Sequence, residues 1–329
     1  MPENTITATE ASPAEKPQPT PPKYPDYLPT RPDGYAPAIN LPLFEADEPG
    51  LRADPSKPDI TKAATSIVNI TPRIGTELHG VQLSQLSPAG LDEVALLAAE
   101  RGVLVFRDQD FADIGPDRQL ELVRHYGPLH KHPTMGYPKG TGPEFHVVYA
   151  DETVGTLRDL LGPRASYDLW HVDQTFTPNV PSTTVFWVLE GPTNGGGDTA
   201  FSSLQHAYEA LSPAFRDTLK NLDIFHTSAS VGEIARVGQE RALKEAVNAV
   251  HPLVIEHPVT KKPVLFVNPT IGRNIEGFHS TEMVWDQRTA AHSAVPDFAQ
   301  GDRRHMVRII PYGSEPKAAF PRRAREEGD

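Results

Sequence analysis

From residue 144 onward the chain is cut into short runs of β-branched and aromatic residues, many of them closed by Gly, Pro, Asn or Asp. They read "EFHVVYAD", "DLWHVDQTF", "STTVFWVLEG", "DTAFSS", "LDIFHTSA", "PLVIEH", "PVLFVNP" and "HMVRIIPYG". Runs of this length cannot satisfy their backbone groups alone. They must pair laterally, and the resulting sheets must cover each other. Upstream, "SIVNITPRIGTELHGVQL" alternates apolar and polar residues as a strand pair with turns at Pro72-Arg73 and Gly80, and "VLVFRDQD" reads as a buried strand. Helical signals are few. Ser87-Pro88 starts a helix, with Ser as cap and Pro in the first turn, and Gly102 ends it after the apolar positions Leu91, Val94, Leu97 and Ala98. Residues 115–126, "GPDRQLELVRHY", give a second helix, and Ser212-Pro213 caps a third. The expected fold class is mostly β with flanking helices, a sandwich or jelly roll without internal repeats.

Composition bounds the chemistry. The 329 residues are 38% hydrophobic, enough for a real core, while many of the 34 prolines crowd the start of the chain. The expected division is a proline-rich N-terminal segment over residues 1–60, partly disordered, a domain over 61–317 and a charged tail over 318–329. Within the first segment, "YPDYLP" and "LPLFEADEPG" carry apolar anchors suited to lying extended across the domain. A net charge of -12 argues against nucleic acid or an acidic membrane as partner. No apolar run has the length of a span or the form of a signal peptide, so the expected location is cytoplasmic. Without cysteine there is no disulfide and no thiolate, so any metal must rest on His, Asp or Glu.

Within "DLWHVDQTF", His171 and Asp173 are two positions apart, and on a strand they project from one face while Val172 packs behind them. A second histidine would complete a two-histidine, one-carboxylate set, which leaves positions open as suits non-haem Fe(II) with a co-substrate and oxygen. His226, His251, His257, His279, His292 and His305 are all candidates for it. His292 is singled out by its downstream neighbours. In "GDRRHMVRI", Arg304, Met306 and Arg308 share one strand face, and two guanidinium groups aimed into one cavity need acidic ligands. His130 and His132 offer a competing, cupin-like pair. Gly195, Gly196 and Gly197 read as a tight turn, since no Gly-Lys-Ser/Thr comes after them.

Taken in order, "GLRADPSKP", "IGTELHGVQLSQLS", "ERGVLVFRDQDFADIGP", "HYGPLHKHP", "WHVDQTF", "GGGDTAFSSLQHAYEALSP", "VWDQRTAAHSAV" and "GDRRHMVRI" form a specific series. On these motifs the chain, from Tyr24 to Lys317, resembles the taurine/2,4-D dioxygenase (TauD/TfdA) family of Fe(II)- and 2-oxoglutarate-dependent dioxygenases, in its alkyl-sulfonate dioxygenase branch. The resemblance implies a double-stranded β-helix (jelly roll) for the dioxygenase domain. It implies His171, Asp173 and His292 as iron ligands, and Thr199 and Arg304 as the residues that hold the far carboxylate of the co-substrate 2-oxoglutarate. It implies Arg308 and His132 as contacts for a substrate sulfonate. One extra residue between His292 and the arginines leaves Arg303 as an alternative to Arg304.

The implied reaction hydroxylates an alkyl sulfonate next to sulfur with molecular oxygen, giving aldehyde, sulfite, succinate and carbon dioxide. Oxidation of a carboxylate or sulfate-ester metabolite at the same site is the alternative, or a non-catalytic shortened homologue. Met135 and Tyr167 stand where taurine-specific members hold an ammonium, so the resemblance implies a small anionic substrate with an apolar or bulkier tail. Homo-oligomers are common in the branch. One departure bears on the fold: between "VNPTIGRNIEGF" and "VWDQR" the family carries a helix, a strand and a Pro-Gly turn, and here only "HSTEM" fills that space. Loss of that strand threatens to leave the jelly roll incomplete before the distal histidine and to displace His292.

Overall fold

The structure, a computed structural model, describes residues 21–30, 43–132, 136–150, 170–193, 195–228, 247–268, 283–286, 288, 290–294 and 304–320. For residues 283–286, 290–294, 304 and 305 the description covers the backbone.

Alternation of side chains across the strands divides the core into two layers. In chain order the strands are β1 (Pro29–Thr30), β2 (Ser66–Asn69), β3 (Thr76–His79), β4 (Val103–Phe106), β5 (Tyr137–Pro138), β6 (His146–Ala150), β7 (Thr183–Glu190) and β8 (Thr199–Ser203). They continue as β9 (Asp223–Thr227), β10 (Asn248–Pro252), β11 (Val254–Glu256), β12 (Pro263–Leu265), β13 (Met283–Asp286), β14 (Ala290–Ala294), β15 (Arg304–Ile309) and β16 (Lys317–Ala318). Seven of them form one sheet in the order β2-β3-β4-β13-β7-β15-β6. Only β3 and β4 run parallel within it.

On one face of this sheet Leu104, Phe106, Val185, Trp187, Val307 and Ile309 are buried against Leu91, Val94, Ala95 and Ala98. Those four lie on α2 (Pro88–Arg101), which comes after a shorter helix α1 (Pro58–Ala63) and precedes α3 (Pro116–Arg124). The Ser87 hydroxyl accepts from Gly90 N at 3.0 Å, and Gly102, at φ 73°, closes α2 as the sequence predicts. On the other face Val103, Val105, Phe186 and Met306 meet Phe201 of β8. Strand β8 pairs with β14, and β12-β11-β16 form a further three-stranded sheet. Met306 therefore points toward β8, and so does Arg308 two positions on.

The structure corrects two expectations. "DLWHVDQTF" is not a regular strand where it is described: His171 makes an isolated bridge, and residues 173–176 turn, with Gln174 at φ 54°. The Thr177 hydroxyl donates to Gln174 O at 2.8 Å, a local bond that competes with ladder pairing. Helix α1 and a helix at Leu204–Ala210 are additional to the expected set, the latter capped by the Ser203 hydroxyl accepting from His206 N at 3.2 Å. Strand β13, which carries the retained "VWD", lies between β4 and β7 in antiparallel register with both, and the shortened segment before it, residues 269–282, lies outside the described residues.

The N-terminal anchors dock mainly through side chains, beside the short strand β1, which pairs with β5. The Tyr27 ring meets Trp187 edge-on at 6.3 Å, and its hydroxyl donates to Ala112 O at 2.8 Å. Glu48 is buried and binds Arg288 bidentately, with Nη1 to Oε1 at 2.5 Å and Nη2 to Oε2 at 3.0 Å. Arg288 stands between β13 and β14, so Glu48 clamps the turn that delivers the strand of His292.

Candidate active site

The loop from Trp170 to Val180 is held from beneath. Trp170, Val172 and Val180 are buried with Ala200, Ile255 and Phe266, so the intervening His171 and Asp173 are turned the other way. Their side chains meet, His171 Nε2 lying 3.3 Å from Asp173 Oδ1. The alternation expected of a strand is thus achieved by an irregular loop. Its backbone is fixed by two buried polar side chains. Asn268 Nδ2 donates to Val172 O and to Thr175 Oγ1, both at 2.7 Å. His251 Nε2 donates to Thr175 O at 2.9 Å and Thr177 O at 3.2 Å. Asn179 then bridges Phe44 and Gly313 from the end of the loop.

Behind His251 sits His226, fully buried, with neither ring nitrogen hydrogen-bonded among the described residues. Burial, and then His251 beside it, pushes its imidazole down to about 3 from an ordinary 6.5. Between those values the unfolded chain binds a proton that the folded chain does not. Stability present above pH 6.5 is therefore lost as pH falls toward 3. Between pH 7 and pH 5 the wild type is expected to lose about 2 kcal/mol more than His226→Phe in urea titrations. Equal losses in the two proteins would remove His226 from the acid response.

Asp173 is 5% exposed, and its second oxygen accepts from Arg308 Nη1. The same guanidinium donates through Nε to His146 Nδ1 at 2.8 Å. The His146 ring stacks on His132 with centroids 4.0 Å apart, and His130 packs edge-on against both His132 and Tyr312. Burial foremost, then the neighbouring imidazoles and Arg308, hold His132 and His146 well below the usual histidine value, against a weaker pull from Asp173. Both rings are neutral near pH 7. The site wall thus sets one guanidinium and one carboxylate beside the uncharged imidazoles of His132 and His146.

Of the sequence-predicted residues, His171, Asp173, Arg308 and His132 come together. Thr199 is buried at the start of β8 and pairs with Ala294, while His292 is in register with Phe201 two positions along the same ladder. The side chains of His292 and Arg304 lie outside the described residues, as do Met135, Tyr167, Arg303 and His279. Among the described residues no three metal-binding side chains converge. Of the rival histidines, His251 serves the loop backbone, and His257 Nδ1 accepts from Val259 N and Thr260 N in a turn. Sequence reasoning misses His146. Its one signal is a histidine at a buried position of the apolar run "EFHVVYAD", directly opposite Arg308 across β6 and β15.

An imidazole nitrogen and a carboxylate oxygen this close, on a loop fixed at several points and without sulfur nearby, fit a hard or borderline divalent ion.

Comparison with known proteins identifies the family. Residues 66–283 match the family described as Taurine catabolism dioxygenase TauD, TfdA family. The chain is 41% identical over 326 residues to the alpha-ketoglutarate-dependent dioxygenase cnsP of Penicillium expansum, covering 90% of this chain and 88% of that protein. It is 36% identical over 329 residues to the alpha-ketoglutarate-dependent sulfonate dioxygenase of Saccharomyces cerevisiae, covering 89% and 79% of the two chains. The crystal structure of a taurine dioxygenase from Burkholderia xenovorans superimposes with a TM-score of 0.56 at 23% identity, covering 76% of this chain and 90% of that one. The chain therefore belongs to the TauD/TfdA family and is a dioxygenase of the 2-oxoglutarate-dependent (alpha-ketoglutarate-dependent) kind.

Proposed function

We propose that the protein hydroxylates an alkyl sulfonate at the carbon next to sulfur, using Fe(II), 2-oxoglutarate and oxygen. In this reading residues 61–317 form a jelly-roll domain, with residues 1–60 and 318–329 as flanking segments. His171, Asp173 and His292 hold the metal, and Thr199 with Arg304 holds the far carboxylate of 2-oxoglutarate. Arg308 and His132 receive the sulfonate. When bound, metal and co-substrate supply the oxidation of a C–H bond, coupled to decarboxylation of 2-oxoglutarate to succinate.

The remaining work belongs to the chain's residues. Arg308 fixes the anionic head beside Asp173, which sets which carbon faces the reacting centre. His132, neutral and buried, offers a polar edge without adding charge. The hydroxylated product breaks its carbon–sulfur bond, the pair leaving with sulfite while the hydroxyl oxygen loses its proton and becomes the aldehyde carbonyl. The observation that carries this reading is the Arg308 guanidinium bound to Asp173 inside the site. A named sulfonate dioxygenase among the relatives supports the same head group.

The test starts from an anaerobic titration with Fe(II) and 2-oxoglutarate, expected to give the weak visible charge-transfer band of the chelate. In air, butanesulfonate is then expected to yield sulfite and succinate in equal amounts. Succinate formed from sulfate esters or carboxylates, with no sulfite from any sulfonate, would overturn the substrate assignment.

A further inference from the structure

We infer that His146 is a positioning residue that holds Arg308 in place for the substrate's anionic head group; the inference rests on the proposed role of Arg308. His146 is buried on β6 in direct register with Arg308 of β15. A buried imidazole in an apolar strand is costly unless its polar atoms are used. Here Nδ1 is used, accepting from Arg308 Nε at 2.8 Å. Arginine has donors only, so this contact fixes the tautomer: Nδ1 is the bare nitrogen and Nε2 carries the ring proton.

The second end of the guanidinium is held by Asp173 through Nη1. Arg308 is therefore tied at two points, to a sheet strand on one side and to the ligand loop on the other. A free arginine loses rotamer entropy when a ligand fixes it. In this protein the fold has already fixed it, so the planar fork is presented in one orientation. His146 also bounds His132, whose ring lies 4.0 Å from its own. Both proposed contacts to the anionic head thus lean on one histidine. Thr199, a proposed 2-oxoglutarate contact, lies on β8 rather than on β6 or β15.

Two full-length variants separate positioning from core filling. His146→Leu keeps bulk and removes the acceptor, whereas His146→Asn keeps an acceptor near the position of Nδ1. In the wild type, NMR of the histidine ring nitrogens is expected to show a His146 Nδ1 without a proton, and a slowly exchanging Arg308 Nε–H lost in His146→Leu. The KM for butanesulfonate, read by sulfite release, is expected to rise about tenfold in His146→Leu and to return to within about threefold of wild type in His146→Asn. KM for 2-oxoglutarate and kcat are expected to stay within about twofold of wild type.

A folded His146→Leu with unchanged KM for butanesulfonate would overturn the inference. So would equal rises in both KM values, or a protonated Nδ1. If the wild type makes no sulfite at all, the substrate reading fails by itself. Titration of the Arg308 Nε–H signal with butanesulfonate, in wild type and variants, then decides the role of His146. If His146→Leu does not fold, the same titration in His146→Asn and the wild-type tautomer decide it.

Discussion

Glu48→Ala is expected to lower unfolding free energy by about 3–5 kcal/mol, because it leaves the Arg288 guanidinium buried without its carboxylate. The pair is bidentate, and Arg288 is 2% exposed, so water cannot replace the lost partner. Glu48 also accepts from Ser314 N at 3.2 Å and from the Ser314 hydroxyl, so the change strips three groups at once. The damage should reach the proposed metal site. Arg288 sits between β13 and β14, and freeing it loosens the strand that carries His292. Urea titration gives the first number, and Fe(II) affinity measured well below the unfolding midpoint gives the second. Loss of stability under 1 kcal/mol would show that the pair is solvated in solution. Exchanging both residues for apolar ones should restore much of the stability and little of the Fe(II) affinity if the clamp is directional.

Asp173→Ala is expected to abolish turnover, by about three orders of magnitude or more, and to remove the charge-transfer band with it. Its carboxylate is the charged member of the proposed ligand set and also the second anchor of Arg308. Metal and substrate binding should therefore fail together. In thermal unfolding, Fe(II) should raise the midpoint of the wild type and leave that of the variant unmoved. His171→Ala should cost about as much, and the double variant little more, since ligands of one ion act as a unit. A variant that keeps the band would place the metal elsewhere.

What could be read from the sequence was local. Helix α2 is written in Ser87, Pro88 and Gly102, all within one helix length, and the structure returns the same boundaries. The alternation of Met306 and Arg308 against Val307 and Ile309 needs only the period of a strand. The spacing of His171 and Asp173 predicts that the two side chains meet, as they do, for an incomplete reason. Their shared direction comes from buried Trp170 and Val172 and from Asn268 below them, not from a regular strand. Contacts that depend on register were invisible. His146 and Arg308 are 162 positions apart, and Asn268 lies 96 from Val172. No local pattern states which two strands will be neighbours, so the supports of the site appeared only with the fold.

The clamp between Glu48 and Arg288 joins positions 240 residues apart. Such closure is slow, since a long loop must be ordered before its contact is gained. On a ribosome, Glu48 leaves the tunnel long before its partner exists, and β13 enters the middle of a sheet whose other strands precede it, β15 and the end of the chain excepted. Until then β4 and β7 have an empty slot between them. The nascent chain passes through a stage in which β4 lacks one neighbour and β7 lacks both, and the proposed metal site is among the last parts to be assembled.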